Sequence, residues 1–537
     1  MLALVFATSF LVALGALLVG RSAKQPLKQF PGPSLARWTT LYKAYFEIVK
    51  KGGWVRQLEK LHAAYGPIVR VGPNELHFSD PRAYGEIYAP GSRFHKDMAL
   101  YSIFKHSNSS VFTTPDPHDA AVIRNVLSPY FSRRAIIPKI PLIKEQVTKL
   151  ISILKTHTSE SENPVNLDHA LPAVALDAFT SLIFSRSFDT LSAPGFDHPF
   201  IRGVPSTYIN IWVKKYFPRL KTPLMLAFMR FLSLVDPIAI TFADQLKLII
   251  EDLKLALQST STPDESPLDE ASTDGPLYPF LLHKIQSQIQ KPTMTAETSE
   301  QLRDLLQHNR LVAEGFNLRF AGADTVGTAC TVGVRCLLSN RDVLVRLVRE
   351  LDEAWPNEGD IAFEDLEKLP YLTAVIKESL RLSHGVVTPL GRVVGPGDAV
   401  IVGETIPTGT IVGISSTFVH LNAEIFPEPT KFHPDRWLKS SQKSRDQNEE
   451  HSDSSAVDVN ADKYLVSFSR GPRSCFGIHL AWCELYIIFG YLFRMLELIP
   501  QTELNPNQPL QFDDFFLPTY VCDPLLVFVR ERTSLVK

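Results

Sequence analysis

Along most of this chain apolar residues recur three and four positions apart, the spacing of an α-helix that buries one face. In "LPYLTAVIKESLRL", Leu372, Val375, Ile376 and Leu380 fall at i, i+3, i+4 and i+8 and so share a face. "LVAEGFNLRFAGADTVGTACTVGVRCLL" reads as a long helix with small residues midway, and "IHLAWCELYIIFGYLF" is apolar enough on all sides to be a buried one. Strand patterns are fewer. "GPIVRVGPNELHFS" (66–79) and "AVIVGETIPTGTIVGIS" (399–415) carry β-branched runs broken by Gly and Pro, which predicts short antiparallel strands and tight turns. The pattern predicts a mainly α fold with a small β portion. At the start, Leu2 to Gly20 runs for 19 residues without a charge, close to the ~20 that a bilayer-crossing helix needs. Arg21, Lys24 and Lys28 follow the run instead of preceding it, which favours a retained anchor with the body on the cytosolic side over a cleaved leader.

"FPGPS" (30–34) cannot continue a helix. The chain therefore divides into an anchor (1–20), a basic and Pro-rich linker (21–40) and one large body (41–537). Two polar stretches inside the body, 258–276 and 439–463, are rich in Ser, Asp, Glu and Pro and read as surface insertions. With 45% hydrophobic residues, 21% charged residues and a formal net charge of -2, the composition is globular and offers nucleic acid no electrostatic footing. The five cysteines form no CxxC pair, which argues against a disulfide scaffold or a structural zinc site and suggests reduced thiols.

One cysteine stands apart. In "FSRGPRSCFGIHLAW" (468–482), Cys475 follows Arg473, is flanked by Gly471 and Gly477, and precedes the apolar helix. A buried inert residue, a nucleophile with His479 as base, a zinc ligand and a haem thiolate are the four readings. A nearby cation and a helix N-terminus would favour the ionised sulfur, and glycines would let the backbone approach a flat cofactor.

Phe468, Gly471, Arg473, Cys475 and Gly477 match F-x-x-G-x-R-x-C-x-G, and in this the chain resembles the cytochrome P450 family. The resemblance extends from "QFPGPSLARW" to "FFLPTYVCDPLLVFV", and it is nearest to fungal, membrane-bound members of secondary metabolism of the trichodiene-oxygenase type. It implies a single haem domain in which Cys475 ligates the iron of haem b. "AGADT" resembles the oxygen-activation motif, with Ala321 and Gly322 beside the cofactor and Asp324 and Thr325 relaying protons. Glu378 and Arg381 of "KESLR", with Arg436 of "FPEPTKFHPDRW", resemble a structural network behind the haem. Arg473, Arg392 and Arg124 match positions that bind the haem propionates. The chain departs from the family where Ala120 replaces a frequent Trp or His, and His118 is a possible substitute.

The function implied is monooxygenation: one atom of O2 enters a lipophilic small molecule, a terpenoid or polyketide. Electrons are expected from a separate NADPH–cytochrome P450 reductase, since no G-x-G-x-x-G fingerprint stands between a strand and a helix. By the same likeness the enzyme sits in the endoplasmic reticulum membrane with its catalytic domain in the cytosol. A haem-thiolate isomerase or dehydratase and a non-enzymatic haem-binding sensor or lipid carrier are the alternatives. Phe320, Ala321, Thr325, the loop 383–390 and residues 516–519 are expected to line a largely apolar pocket.

Overall fold

The computed structural model describes residues 26–105, 108–157, 163–184, 186–218, 237–259, 273, 275–357, 359–438 and 460–532. The expected anchor and most of the two polar insertions lie outside the described residues. Along the chain come α1 (Pro81–Ile87), α2 (Pro117–Leu127), α3 (Ile140–Thr156), α4 (Leu167–Ile183), α5 (Pro199–Tyr216), α6 (His308–Ser339), α7 (Pro370–Ser383) and α8 (Ile478–Met495), with further helices between them. The strands are short: β1 (Ile68–Gly72), β2 (Glu75–Phe78), β3 (His95–Lys96), β4 (Val165–Asn166), β5 (Arg392–Val393), β6 (Ala399–Ile401), β7 (Glu404–Ile406), β8 (Ile411–Gly413), β9 (Leu496–Pro500), β10 (Phe512–Phe515), β11 (Leu517–Tyr520) and β12 (Leu526–Glu531). They form a five-stranded sheet in the order β1-β2-β8-β5-β3, a three-stranded sheet β4-β12-β9, and the hairpins β6-β7 and β10-β11. The mainly helical reading holds, as do both strand regions taken from the sequence.

Helix α6 is the spine of the molecule, and its glycines set how closely its neighbours approach. A Cβ on Gly322 would overlap the ring of Phe179 on α4, and one on Gly327 would lie 2.6 Å from Cα of Pro172 on the same helix. At Gly333 the space is taken by Ser379 of α7 and Phe489 of α8. Close backbone approach of this kind is what glycine permits. Helix α8 is the one described helix long and apolar enough to cross a membrane, yet it is mostly buried in this core.

The linker reading changes from residue 26 onward. Leu27 and Phe30 are buried, the N–H of Arg70 donates to the carbonyl of Pro31 at 2.7 Å, and Arg70 Nη1 reaches the carbonyl of Leu27. Hydrogen bonds from Arg70 hold residues 27–31 on β1, while Leu27 and Phe30 are buried with Leu76, Phe78 and Tyr84, so this stretch packs on the body and is not a free spacer.

Helix α7 ends at His384 (φ 61), beyond which Gly385 turns the chain. Before that end, Glu378 and Arg381 meet with full burial. Arg381 donates through Nε and Nη2 to the two oxygens of Glu378 at 2.9 and 2.8 Å. Arg436 Nε, Trp437 Nε1 and the N–H of His433 complete the carboxylate's partners at 3.1, 2.9 and 2.9 Å. Burial alone would raise the Glu378 pKa, but the two guanidiniums outweigh it and hold the carboxyl below its usual range. Glu378→Ala leaves two buried guanidiniums without their counter-charge and should destabilise the fold by about 3–5 kcal/mol. Lys431→Ala, in an exposed pair with Glu428, should cost less than about 1 kcal/mol by the same urea-unfolding measurement.

Candidate cofactor site around Cys475

The segment 466–477 reaches Cys475 through a turn that only glycine fits. Gly471 has φ +66, and a Cβ there would overlap the carbonyl oxygen of Tyr88 and lie 2.6 Å from that of Ala89. The turn closes when the N–H of Cys475 donates to the carbonyl of Phe468 at 2.8 Å. Phe468 itself packs against the main core. Gly477 is different. Its φ is -79, and a Cβ would sit 3.8 Å from Cys475 Sγ, an ordinary contact. It serves as the N-cap of α8 and places its N–H against the sulfur.

Cys475 is accessible, yet protein packed around it pushes its thiol pKa up. The Gly477 N–H and the charge of Arg124 oppose that rise without overcoming it. Accessibility together with desolvation describes a sulfur at the bottom of a concavity. The expectation of a thiol lowered by its surroundings is therefore not met by the polypeptide alone, because desolvation wins. The nucleophile reading loses support because His479 is exposed and no hydrogen bond joins it to Cys475 among the described residues. The one group of metal-ligating side chains found among those residues, Asp116, His118 and Asp119, contains no cysteine.

Three arginines and a lysine lie close enough to act on one another, and one of them, Arg124, also acts on the sulfur. Arg124 donates to the carbonyl of Ser474 at 2.8 Å and lies 5.4 Å from the ring centroid of Phe476. Arg392 donates to the hydroxyl of Tyr101 at 2.8 Å. Arg473 reaches the carbonyls of Val111, Thr114, Pro115 and Asp116, and its buried Nε has no partner. Lys96 was missed by the sequence reading, since it belongs to no motif. In the β3-β5 ladder it stands directly opposite Arg392, buried, with Nζ 2.6 Å from the carbonyl of Phe112. Burial, then Arg473, Arg392 and Arg124, drive its ammonium pKa well down. Like charges facing each other across a ladder destabilise it. An anion would resolve the conflict, and the donor set fits the two carboxylates of a haem.

On the α6 side, Ala321 is exposed although it lies mid-helix, and Thr325 Oγ1 donates back to its carbonyl at 2.9 Å. Gly322 does not lower the helix surface for a cofactor; it makes room for Phe179. Asp324 is half-buried and its charge acts on Arg319, whose own pKa burial lowers to about 9. An aromatic cluster adjoins the helix. Phe104 lies 4.6 Å from Phe516, 5.4 Å from Phe112 and 6.1 Å from Phe320, centroid to centroid. Phe516 sits at φ +78 in the β10-β11 turn, and its carbonyl accepts from Val387 of the 383–390 loop at 3.1 Å. Phe104 and Phe112 come from a stretch with no motif, so nothing in the sequence marks them. His118 is not drawn in: its side chain is 70% exposed beside Asp119, while Ala120 is buried.

The model of the family described as cytochrome P450 matches residues 33–521 of this chain. Curated relatives agree. The chain is 31% identical over 504 residues to the cytochrome P450 monooxygenase macH of Penicillium terrestre, covering 92% of this chain and 91% of that protein. It is 32% identical to the tryptophan 6-hydroxylase fscE of Fusarium equiseti, over 90% and 88% of the two chains. It is also 30% identical to the cytochrome P450 monooxygenase TRI4 of Fusarium sporotrichioides, over 88% and 84%. Gly471→Ala should destabilise the fold by roughly 1–3 kcal/mol through its left-handed backbone, and by more if the 88–89 backbone cannot move. Gly477→Ala should fall within about 1 kcal/mol of the parent in the same thermal melt.

Proposed function

Because the chain belongs to the cytochrome P450 family, and is thus a haem-dependent monooxygenase of the kind used in fungal secondary metabolism, we propose that Cys475 is its iron ligand and that the substrate is a terpenoid or polyketide. The family binds haem b through a cysteine thiolate and uses O2, a substrate and a redox-partner reductase. The observation that carries the site assignment is the accessible, desolvated Cys475 thiol beside Arg124, a member of a cluster of cations with Lys96, Arg392 and Arg473.

When bound, haem would supply the redox chemistry, in which O2 takes two electrons from the reductase and two protons, one oxygen atom entering the substrate and the other leaving as water. Arg124, Arg392, Arg473 Nε and Lys96 hold the propionates. Gly477 donates its N–H to Sγ and tempers the sulfur's basicity. Thr325 Oγ1 and the Asp324 carboxyl are the proton-handling atoms, with Ala321 leaving space beside them. The ring wall of Phe104, Phe112, Phe320 and Phe516 excludes water and selects an apolar substrate. Relatives named tryptophan 6-hydroxylase and conidiogenone synthase indicate how widely substrates vary on this scaffold.

Association with the endoplasmic reticulum membrane belongs to the same reading. The uncharged run 2–20 supports it, as do Leu35, Trp38, Leu41, Tyr45 and Val49, all exposed at intervals of three or four along the segment that follows. The catalytic domain then faces the cytosol, beside an NADPH–cytochrome P450 reductase on the same membrane.

The reduced protein with carbon monoxide should give the thiolate-type Soret band, and Cys475→Ser should abolish it; a wild-type spectrum without that band removes the assignment. Lys96→Met tests the propionate cluster in two directions. The cofactor-free chain should melt higher because a buried repulsion is gone, while the holoenzyme should lose haem to an apo-acceptor protein faster, by about tenfold for one charge-assisted hydrogen bond. Thr325→Ala should lower product formed per O2 consumed while leaving substrate affinity within about twofold.

A further inference from the structure

His420 takes part in none of the interactions described so far, yet it touches both the Glu378 network and the cysteine segment. It is fully buried at the end of the short helix Thr417–His420. Its carbonyl accepts from Arg381 Nη1 at 2.8 Å, the guanidinium held by Glu378. Its ring Nε2 accepts the N–H of Val466 at 2.9 Å. An accepting Nε2 fixes the neutral tautomer with the proton on Nδ1. The ring of His384 stacks 5.8 Å away.

Val466 is where the strut leading to Cys475 begins, and the strut is gripped at successive residues. The Tyr84 hydroxyl of α1 donates to the Val466 carbonyl at 3.4 Å, Ser467 Oγ donates to the carbonyl of Leu380 at 2.8 Å, and the carbonyl of Phe468 accepts from the N–H of Cys475. Gly385 presses on the same strut, since a Cβ there would lie 2.6 Å from the carbonyl oxygen of Ser467. The Val466 N–H is buried, so losing its acceptor leaves it unsatisfied unless the strut shifts. A shift at 466 moves Phe468, and with it the carbonyl that closes the turn onto Cys475.

We infer that His420 is a positioning residue that couples the buried Glu378–Arg381–Arg436 network to the cysteine segment, holding the sulfur in register for the iron. The inference rests on Cys475 being the ligand. In the full-length haem-loaded protein, wild type is compared with His420→Gln, His420→Asn and His420→Leu by reduced carbon monoxide difference spectra and haem bound per chain, with Cys475→Ser as the control. Gln can place an oxygen where Nε2 stands, Asn places one where Nδ1 stands, and Leu offers no acceptor. Gln should keep the wild-type ratio of thiolate-type to non-thiolate band, whereas Asn and Leu should lower that ratio about tenfold, the factor set by one lost buried hydrogen bond. Equal loss in Gln and Asn, or an unchanged ratio in Leu, overturns the assignment. If the Asn and Leu chains do not fold, Gln decides alone: the wild-type ratio upholds the acceptor role and a collapsed ratio ends it. A wild type lacking the thiolate band instead removes the ligand assignment of Cys475, a result distinct from failure of the His420 series.

Discussion

Like charges brought together in a desolvated place need a partner of opposite sign, and the centre of this molecule is built on that constraint. Lys96 and Arg392 face each other across β3 and β5, and Arg124 and Arg473 add to the same field. Nearby, a thiol sits where desolvation holds its proton on. The first arrangement opposes stability in the polypeptide alone, and the second keeps the sulfur neutral. Under the proposed assignment, a dianionic, metal-bearing cofactor would answer both at once, its carboxylates pairing with the guanidinium and ammonium donors and its metal favouring the ionised sulfur.

The rest of the fold holds these groups in place. Arg473 is tethered to four carbonyls of the 111–116 segment and keeps only Nε uncommitted, so its orientation is decided before any ligand arrives. Behind the cysteine segment, Glu378 is sealed between Arg381 and Arg436, an arrangement whose desolvation is repaid only while every partner stays. Through His420 that rigidity extends to Val466. Preorganisation of this kind keeps the cost of ordering out of the binding step. The aromatic cluster is softer chemistry: rings in tilted and edge-to-face contact.

What could be read in advance depended on whether a residue's role was local. The turn at Gly471 and the helix after Gly477 were legible because both follow from a few adjacent residues. The two glycines nonetheless differ in kind, since one meets a distant backbone and the other meets only the neighbouring sulfur. Gly322 had been assigned to the cofactor face but serves helix packing against Phe179. His118 looked like a replacement donor by its distance along the chain, and helix geometry turns it outward instead. Lys96, Phe104 and Phe112 gave no sign, because each acquires its role from residues far away in sequence.

The helical class, the short strands, the cysteine with its arginine and glycines, and the charged pair at 378 and 381 could all be read from the order of residues. These follow from periodicity, turn chemistry and short-range spacing. Only folding shows that residues 27–31 pack on the body, that Lys96 joins three arginines, that the thiol is desolvated, and that His420 touches both the Glu378 network and the cysteine segment. The physical reason is that burial, and the loss of water's screening that comes with it, is a property of the assembled neighbours: a side chain's charge state and partners exist only once distant segments have closed around it.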